Sequence, residues 1–254
     1  MVLSKNTSKA THAKASTRRK SKPREKVSLK VDWFPEELEA FKPPERYTVS
    51  EWADRYRVLT NISAEPGRWR TARTPYLKEP MDKFTDPLIE SISLCFGAQI
   101  GKTEAELNMI GYALHQTASP VMMVYPTDTI AKFASDKRVQ PMIRSVEPLA
   151  DMYDEGSKLL ELDFVNGNYM VLVGANSPSS LSSRSIKYLF FDEIDKYPAF
   201  SGKEANPIKL AEERTKTFVD KKIVRVSTPT IESGNIWQSY MDANERKQYY
   251  VPCP

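Results

Sequence analysis

A short loop that ends in Gly-Lys-Thr can hold a polyphosphate, and residues 97–103 of this chain have that composition: Gly97, Ala98, Gln99, Ile100, Gly101, Lys102 and Thr103. An apolar run from Ser91 to Phe96 leads into the loop, and a helical pattern leaves it. Backbone N–H groups of such a loop point inward, and the following helix offers its positive end. Lys102 would neutralise the outer phosphates, and the Thr103 hydroxyl would ligate Mg²⁺. The usual G-x-x-x-x-G-K-[ST] spacing is not kept, because Phe96 stands where the first glycine belongs. Taken alone, the stretch also fits an ordinary strand-to-helix turn with a surface lysine.

A second stretch supplies the complementary chemistry. Residues 187–195 run through Tyr188, Leu189, Phe190 and Phe191 into the adjacent acids Asp192 and Glu193, then Asp195. Continuous hydrophobics are how a fully buried parallel strand reads, and residues at its carboxyl end face the ligand crevice of an open α/β sheet. There Asp192 would hold Mg²⁺, and Glu193 would orient or deprotonate an attacking water. This is a Walker B pattern. The other reading is a strand capped by exposed acids.

These groups need a scaffold, and the intervening pattern provides one. A helix is expected over 103–116 on Leu107, Ile110 and Leu114, a buried strand over 121–125, and a helix from about 129 to 144. That βαβα order argues for a mainly parallel sheet flanked by helices. Thr127, after Pro126, stands either at a site-forming strand end or simply as the cap of the next helix. Residues 158–164 and 169–173 read as two strands joined at Asn166-Gly167, a pair that favours a type I′ turn. A small-residue loop then leads to Arg184, which either reaches a γ-phosphate, its own or a neighbouring subunit's, or is a surface arginine. Residues 208–219 read as a helix, and 222–227 as another strand. Thr228, Pro229 and Thr230 follow it, where a hydroxyl could sense the γ-phosphate or mark only a turn.

Upstream, Phe34, Leu38 and Phe41 suggest a short helix, and Thr48 with Glu51 a capping box opening a helix through Trp52, Tyr56 and Leu59. Residues 63–76, with Trp69, Arg73 and Tyr76, are either a base-stacking and phosphate-facing segment or a strap packed on the core. The formal charge of +4 hides an asymmetry. Residues 1–30 carry ten lysines and arginines against Glu25 alone, a net +9, which leaves −5 for the rest, the difference between +4 and +9. That segment reads as a disordered tail, suited to nucleic acid or merely solvated. The two cysteines, Cys95 and Cys253, make no disulfide framework. No stretch approaches the ~20 apolar residues that span a bilayer. The two histidines, His12 and His115, lack ligand spacing.

Taken together, residues 63–67, 73–76, 97–104, 125–127, the Asp192-Glu193 strand and 227–230 resemble the large terminase subunit of tailed phages, the lambda-type (GpA-like) family. The resemblance runs from about Trp33 to the last residue. It implies a P-loop NTPase fold of the additional-strand, catalytic-glutamate type, using ATP and Mg²⁺ to package viral DNA. By position, Lys102 and Thr103 become the phosphate-loop pair, Asp192 the metal-binding acid, Glu193 the catalytic acid and 227–230 the coupling motif. The family's shifted loop accounts for Phe96. Implied partners are double-stranded viral DNA, a small terminase subunit and a portal or procapsid, in a ring of copies, in the cytoplasm of the host bacterium.

The expected organisation is a basic tail over 1–30, N-terminal helices and strap over 31–80, and an ATPase core over 81–254. Family members continue into a nuclease domain, so no nuclease activity is expected of this chain. Two rival readings are a remnant DNA-binding or assembly module without hydrolysis and a different P-loop translocase or helicase.

Overall fold

The computed structural model describes residues 33–34, 45–201 and 206–251. The basic segment 1–30, the expected helix through Leu38 and Phe41, and Cys253 lie outside them. A two-stranded antiparallel ribbon, β1 (Val58–Leu59) and β2 (Gly67–Arg68), precedes a six-stranded sheet. The strands of that sheet are β3 (Ser91–Cys95), β4 (Val121–Tyr125), β5 (Glu161–Asp163), β6 (Tyr169–Gly174), β7 (Tyr188–Asp192) and β8 (Lys222–Ser227). Their order is β3-β8-β7-β4-β6-β5, and all neighbours run parallel except β5, which closes one edge antiparallel to β6. The acid-bearing strand β7 is thus separated from the loop-bearing β3 by one inserted strand, β8.

The continuous apolar runs are explained by burial on both faces. Every residue of β4 and β7 is buried. Alternate side chains divide between two cores: Met123, Phe190 and Val224 enter one, and Met122, Leu189, Phe191 and Ile223 the other. Period two is the geometry of a strand.

The helices are α1 (Val49–Tyr56), α2 (Pro75–Lys83), α3 (Lys102–Tyr112), α4 (Asp128–Ala134), α5 (Gln140–Ser145), α6 (Glu147–Ala150), α7 (Pro178–Leu181), α8 (Pro207–Glu212) and α9 (Asn235–Met241). The capping box forms as expected, with Thr48 and Glu51 satisfying each other's backbone N–H groups. Its helix stops at Tyr56, so Leu59 falls on β1 instead. The helix expected from 129 to 144 is interrupted by a π turn at Ser135–Val139, and the one expected over 208–219 ends at Glu212 in a 3₁₀ turn. At the hairpin only Gly167 is left-handed, with φ 80°, and its N–H bonds to the Phe164 carbonyl at 2.9 Å. Type I′ requires two such residues, so the loop is the longer bulged kind. Thr127 does cap α4, accepting from the Ile130 N–H.

The segment before β3 joins the same core. Trp52 and Trp69 are buried in it, and α1 packs on α3. Arg57, its side chain 3% exposed, reaches Glu104 in the first turn of α3 at 2.8 Å. Burial lowers the Arg57 pKa, and Glu104 opposes that shift. Removing one member of such a pair strands the other. Arg57→Ala should therefore lower the unfolding free energy by about 3 kcal/mol in urea titrations, with the loss concentrated at the contact between α1 and α3.

Candidate functional site

Parallel strands deliver their carboxyl ends to one edge of the sheet. Cys95, Tyr125, Asp192 and Ser227 end β3, β4, β7 and β8 there. From Cys95 the chain enters the 96–101 loop, whose residues 97–100 are exposed. Gln99 and Gly101 are both left-handed, at φ 62° and 82°. Gly101 fits its place for a second reason: a Cβ would meet Leu77 Cδ1 at 3.2 Å. Lys102 and Thr103 then form the first turn of α3, where its positive end is available to an anion.

Lys102 is buried, and its ammonium makes two contacts across the site. It lies 3.1 Å from Glu193 Oε1 and donates to Thr228 Oγ1 at 3.0 Å. Three residues chosen from separate stretches of sequence therefore converge on one atom. Glu193 also meets Lys196 at 3.1 Å. Burial raises the Glu193 pKa, but hydrogen bonds from Lys102 and Lys196 outweigh it and hold the carboxyl below the usual glutamate value. Its backbone is left-handed, φ 55° and ψ 49°, a conformation that costs a non-glycine residue about 1 kcal/mol.

Asp192 is buried, and its Oδ1 has no hydrogen-bond partner. Desolvation first, then the charge of Glu193, push its pKa up to about 6, against Lys102, Arg138 and Lys196. Glu106, four residues after Lys102 on α3, is fully buried with both oxygens unpartnered. Burial, with Asp192 and Glu193 nearby, raises its pKa well above the glutamate range. Glu106 carries no motif of its own, and only the i, i+4 spacing puts it on the helix face of Lys102.

An orphaned carboxylate oxygen beside further acids is a place that favours a cation. Among the described residues no three acidic, His or Cys groups converge as a chelate. One carboxylate and one hydroxyl, Asp192 and Thr103, are the sparse set that Mg²⁺ uses when substrate phosphates complete its shell. The residues present fit that ion.

Arg184 is not brought to this edge of the sheet. Its guanidinium bonds Glu161 on β5 and lies 5.3 Å from the ring of Tyr169, at the opposite end of β6. Its cation is matched at the edge hairpin, away from its own chain's phosphate loop. Arg138, which the sequence reading passed over, is the arginine whose charge acts on Asp192.

Beside the loop opens a cleft of about 560 Å³, lined by Tyr76, Phe96, Gly97, Ile100, Trp237, Tyr240, Tyr249 and Tyr250 among others. The Tyr76 hydroxyl donates to the Ile100 carbonyl at 3.1 Å, and its ring lies edge-on to Tyr249 at 5.8 Å. Of residues 63–76, Trp69 is core, and Tyr76 packs against that core while its hydroxyl reaches the loop. Helix α9, which carries Trp237 and Tyr240, was not foreseen.

An inserted strand between loop and acids, with a lysine bridging both, defines a P-loop NTPase of the additional-strand class. The family description "Phage terminase large subunit gpA, ATPase domain" matches residues 63–254, and the chain belongs to that family. It is 26% identical over 219 residues to the large terminase subunit of Enterobacteria phage P21, covering 83% of this chain and 34% of that relative. The chain therefore spans about a third of that relative's length. The large terminase of bacteriophage HK97 superimposes with a TM-score of 0.60 at 13% identity, over 76% of this chain and 40% of that one. That likeness bears on fold. Among the described residues no helix is long and apolar enough to cross a membrane.

The folded state holds a proton on Asp192 between pH 3.8 and about 6 that the unfolded chain releases. Stability of the ligand-free protein therefore falls as pH rises through that window. Asp192→Asn should stabilise it at pH 8 by on the order of 2 kcal/mol. Thermal melts across pH should show the advantage gone by about pH 4.

Proposed function

We propose that this chain is the ATP-hydrolysing part of a motor that drives double-stranded viral DNA into a procapsid. The observation that supports it most is the Lys102 ammonium held between Glu193 and Thr228. Residues 97–103 cradle the phosphates, and the aromatic cleft beside Gly97 and Ile100 takes the purine base by stacking. Asp192 and Thr103 would hold Mg²⁺, which would neutralise phosphate charge.

Lys102 is satisfied within the protein by Glu193 and Thr228, so phosphate binding is an exchange. When Lys102 turns to the phosphate it leaves Glu193 and Thr228. Glu193 then loses the Lys102 bond, one of the two that depress its pKa, and becomes a better acceptor for a proton from water. Thr228, released in the same event, connects the hydrolytic site to the end of β8. Arg138, on the Asp192 side, is positioned to balance developing charge. A small terminase subunit, a portal and further copies of this chain in a ring complete the proposed assembly, in the host cytoplasm.

Phosphate release from Mg·ATP tests the reading. Lys102→Ala should reduce both nucleotide affinity and turnover to background. Glu193→Gln should retain a fluorescent ATP analogue while slowing hydrolysis at least ~100-fold. Trp237→Ala should weaken ATP while leaving inorganic tripolyphosphate unaffected. Wild-type turnover in the Glu193 variant would refute the assignment of the acid.

A further inference from the structure

One acid of the 192–195 stretch has no part in the scheme so far. We infer that Asp195 is a positioning residue for hydrolysis: its carboxylate fastens the turn that carries Glu193 to the segment after β8. The inference rests on the ATPase reading above.

The fastening is made at several points. Glu193 opens the 3₁₀ turn Ile194–Lys196, and the Lys196 N–H closes it on the Glu193 carbonyl at 2.9 Å. Asp195 Oδ1 accepts from the Ile236 N–H at 2.7 Å. Oδ2 accepts from the Thr230 N–H and hydroxyl, each at 3.4 Å. The Asp195 N–H donates to Ser227 Oγ at 3.3 Å, and Asn235 Nδ2 donates to the Ile194 carbonyl at 3.1 Å. Residue 234 lies against the same carboxylate so closely that a Cβ there would sit 2.5 Å from Oδ2, and glycine occupies it.

Two connections therefore join Glu193 to the 227–236 segment. One runs through Lys102 and Thr228, and nucleotide binding breaks it. The other runs through Asp195, whose partners are all in the protein, and it survives. Once Lys102 has turned to phosphate, Asp195 keeps the left-handed Glu193 in register with the end of β8, so that the carboxylate stays aimed as the lysine departs. A residue of this kind acts on turnover and spares affinity.

The chemistry of the carboxylate makes the test specific. Both oxygens act only as acceptors towards backbone N–H groups, so an amide cannot satisfy both whichever way it is turned. Asp195→Asn therefore breaks one side of the joint, and Gly234→Ala crowds it while leaving the acid's own chemistry unchanged. Each variant should lower single-turnover ATP hydrolysis at least tenfold with the Kd for a fluorescent ATP analogue within twofold of wild type. Because both act on one joint, the double variant should lose little more than either single. Thr230→Val, which removes one donor and leaves the Ile236 bond, should show a smaller loss and melt at the wild-type temperature. Turnover within twofold of wild type in Asp195→Asn, or affinity falling in parallel with turnover in variants that melt normally, would overturn the assignment while leaving the ATPase reading intact. A wild-type protein without Lys102-dependent hydrolysis would overturn both.

Discussion

A buried ammonium needs counter-charge, and the arrangement of this site follows from how Lys102 obtains it. The lysine begins α3 at the end of a loop that can turn only because Gln99 and Gly101 adopt left-handed backbone. Its partners come from β7 and from the end of β8, strands that reach the same edge because the sheet is parallel. Without that contact Glu193 would be a partly buried acid in a strained conformation with only Lys196 to offset it. The sheet order, the loop and the left-handed turn after β7 can all be read as means of bringing one cation to one anion.

Around this pair the protein concentrates negative charge that it does not fully balance. Asp192 and Glu106 are buried with oxygens unpartnered, and the nearby Tyr125 and Tyr197 are themselves held protonated, by burial first and then by the acids. Such crowding is costly in the ligand-free state. It is the kind of cost found where a site is built for a charged ligand.

The parts of this design that depend on continuous burial were plain in the amino-acid order. β4 and β8 match the expected bounds, and β7 ends at the expected acid, because strands buried on both faces can be little else. The Lys102, Asp192 and Glu193 cluster followed from two local patterns. What was hidden depends on tertiary contact. Helix α2 carries Pro80 in its interior and α9 is a single short run, so neither has a strong period. Arg184 follows a small-residue loop and Arg138 stands in a charged helical stretch, and only the fold decides that the second acts on Asp192 while the first is taken up by Glu161. Glu106 reads as a surface acid until the helix is docked on the sheet beside β8.

The sheet's outermost strand is the one that carries the loop, and the covering of that strand has a mechanical meaning. β3 pairs only with β8 in the sheet, α9 packs beside it, and the chain continues past Tyr249. Lys247 is tied to Glu79 on α2, and Tyr249 leans on Tyr76, which in turn grips the Ile100 carbonyl. Tension drawn along the chain from residue 251 would thus travel through two tyrosines into the loop itself. A shift of residues 247–249 and a shift of the loop therefore share one short route, so each would be felt by the other.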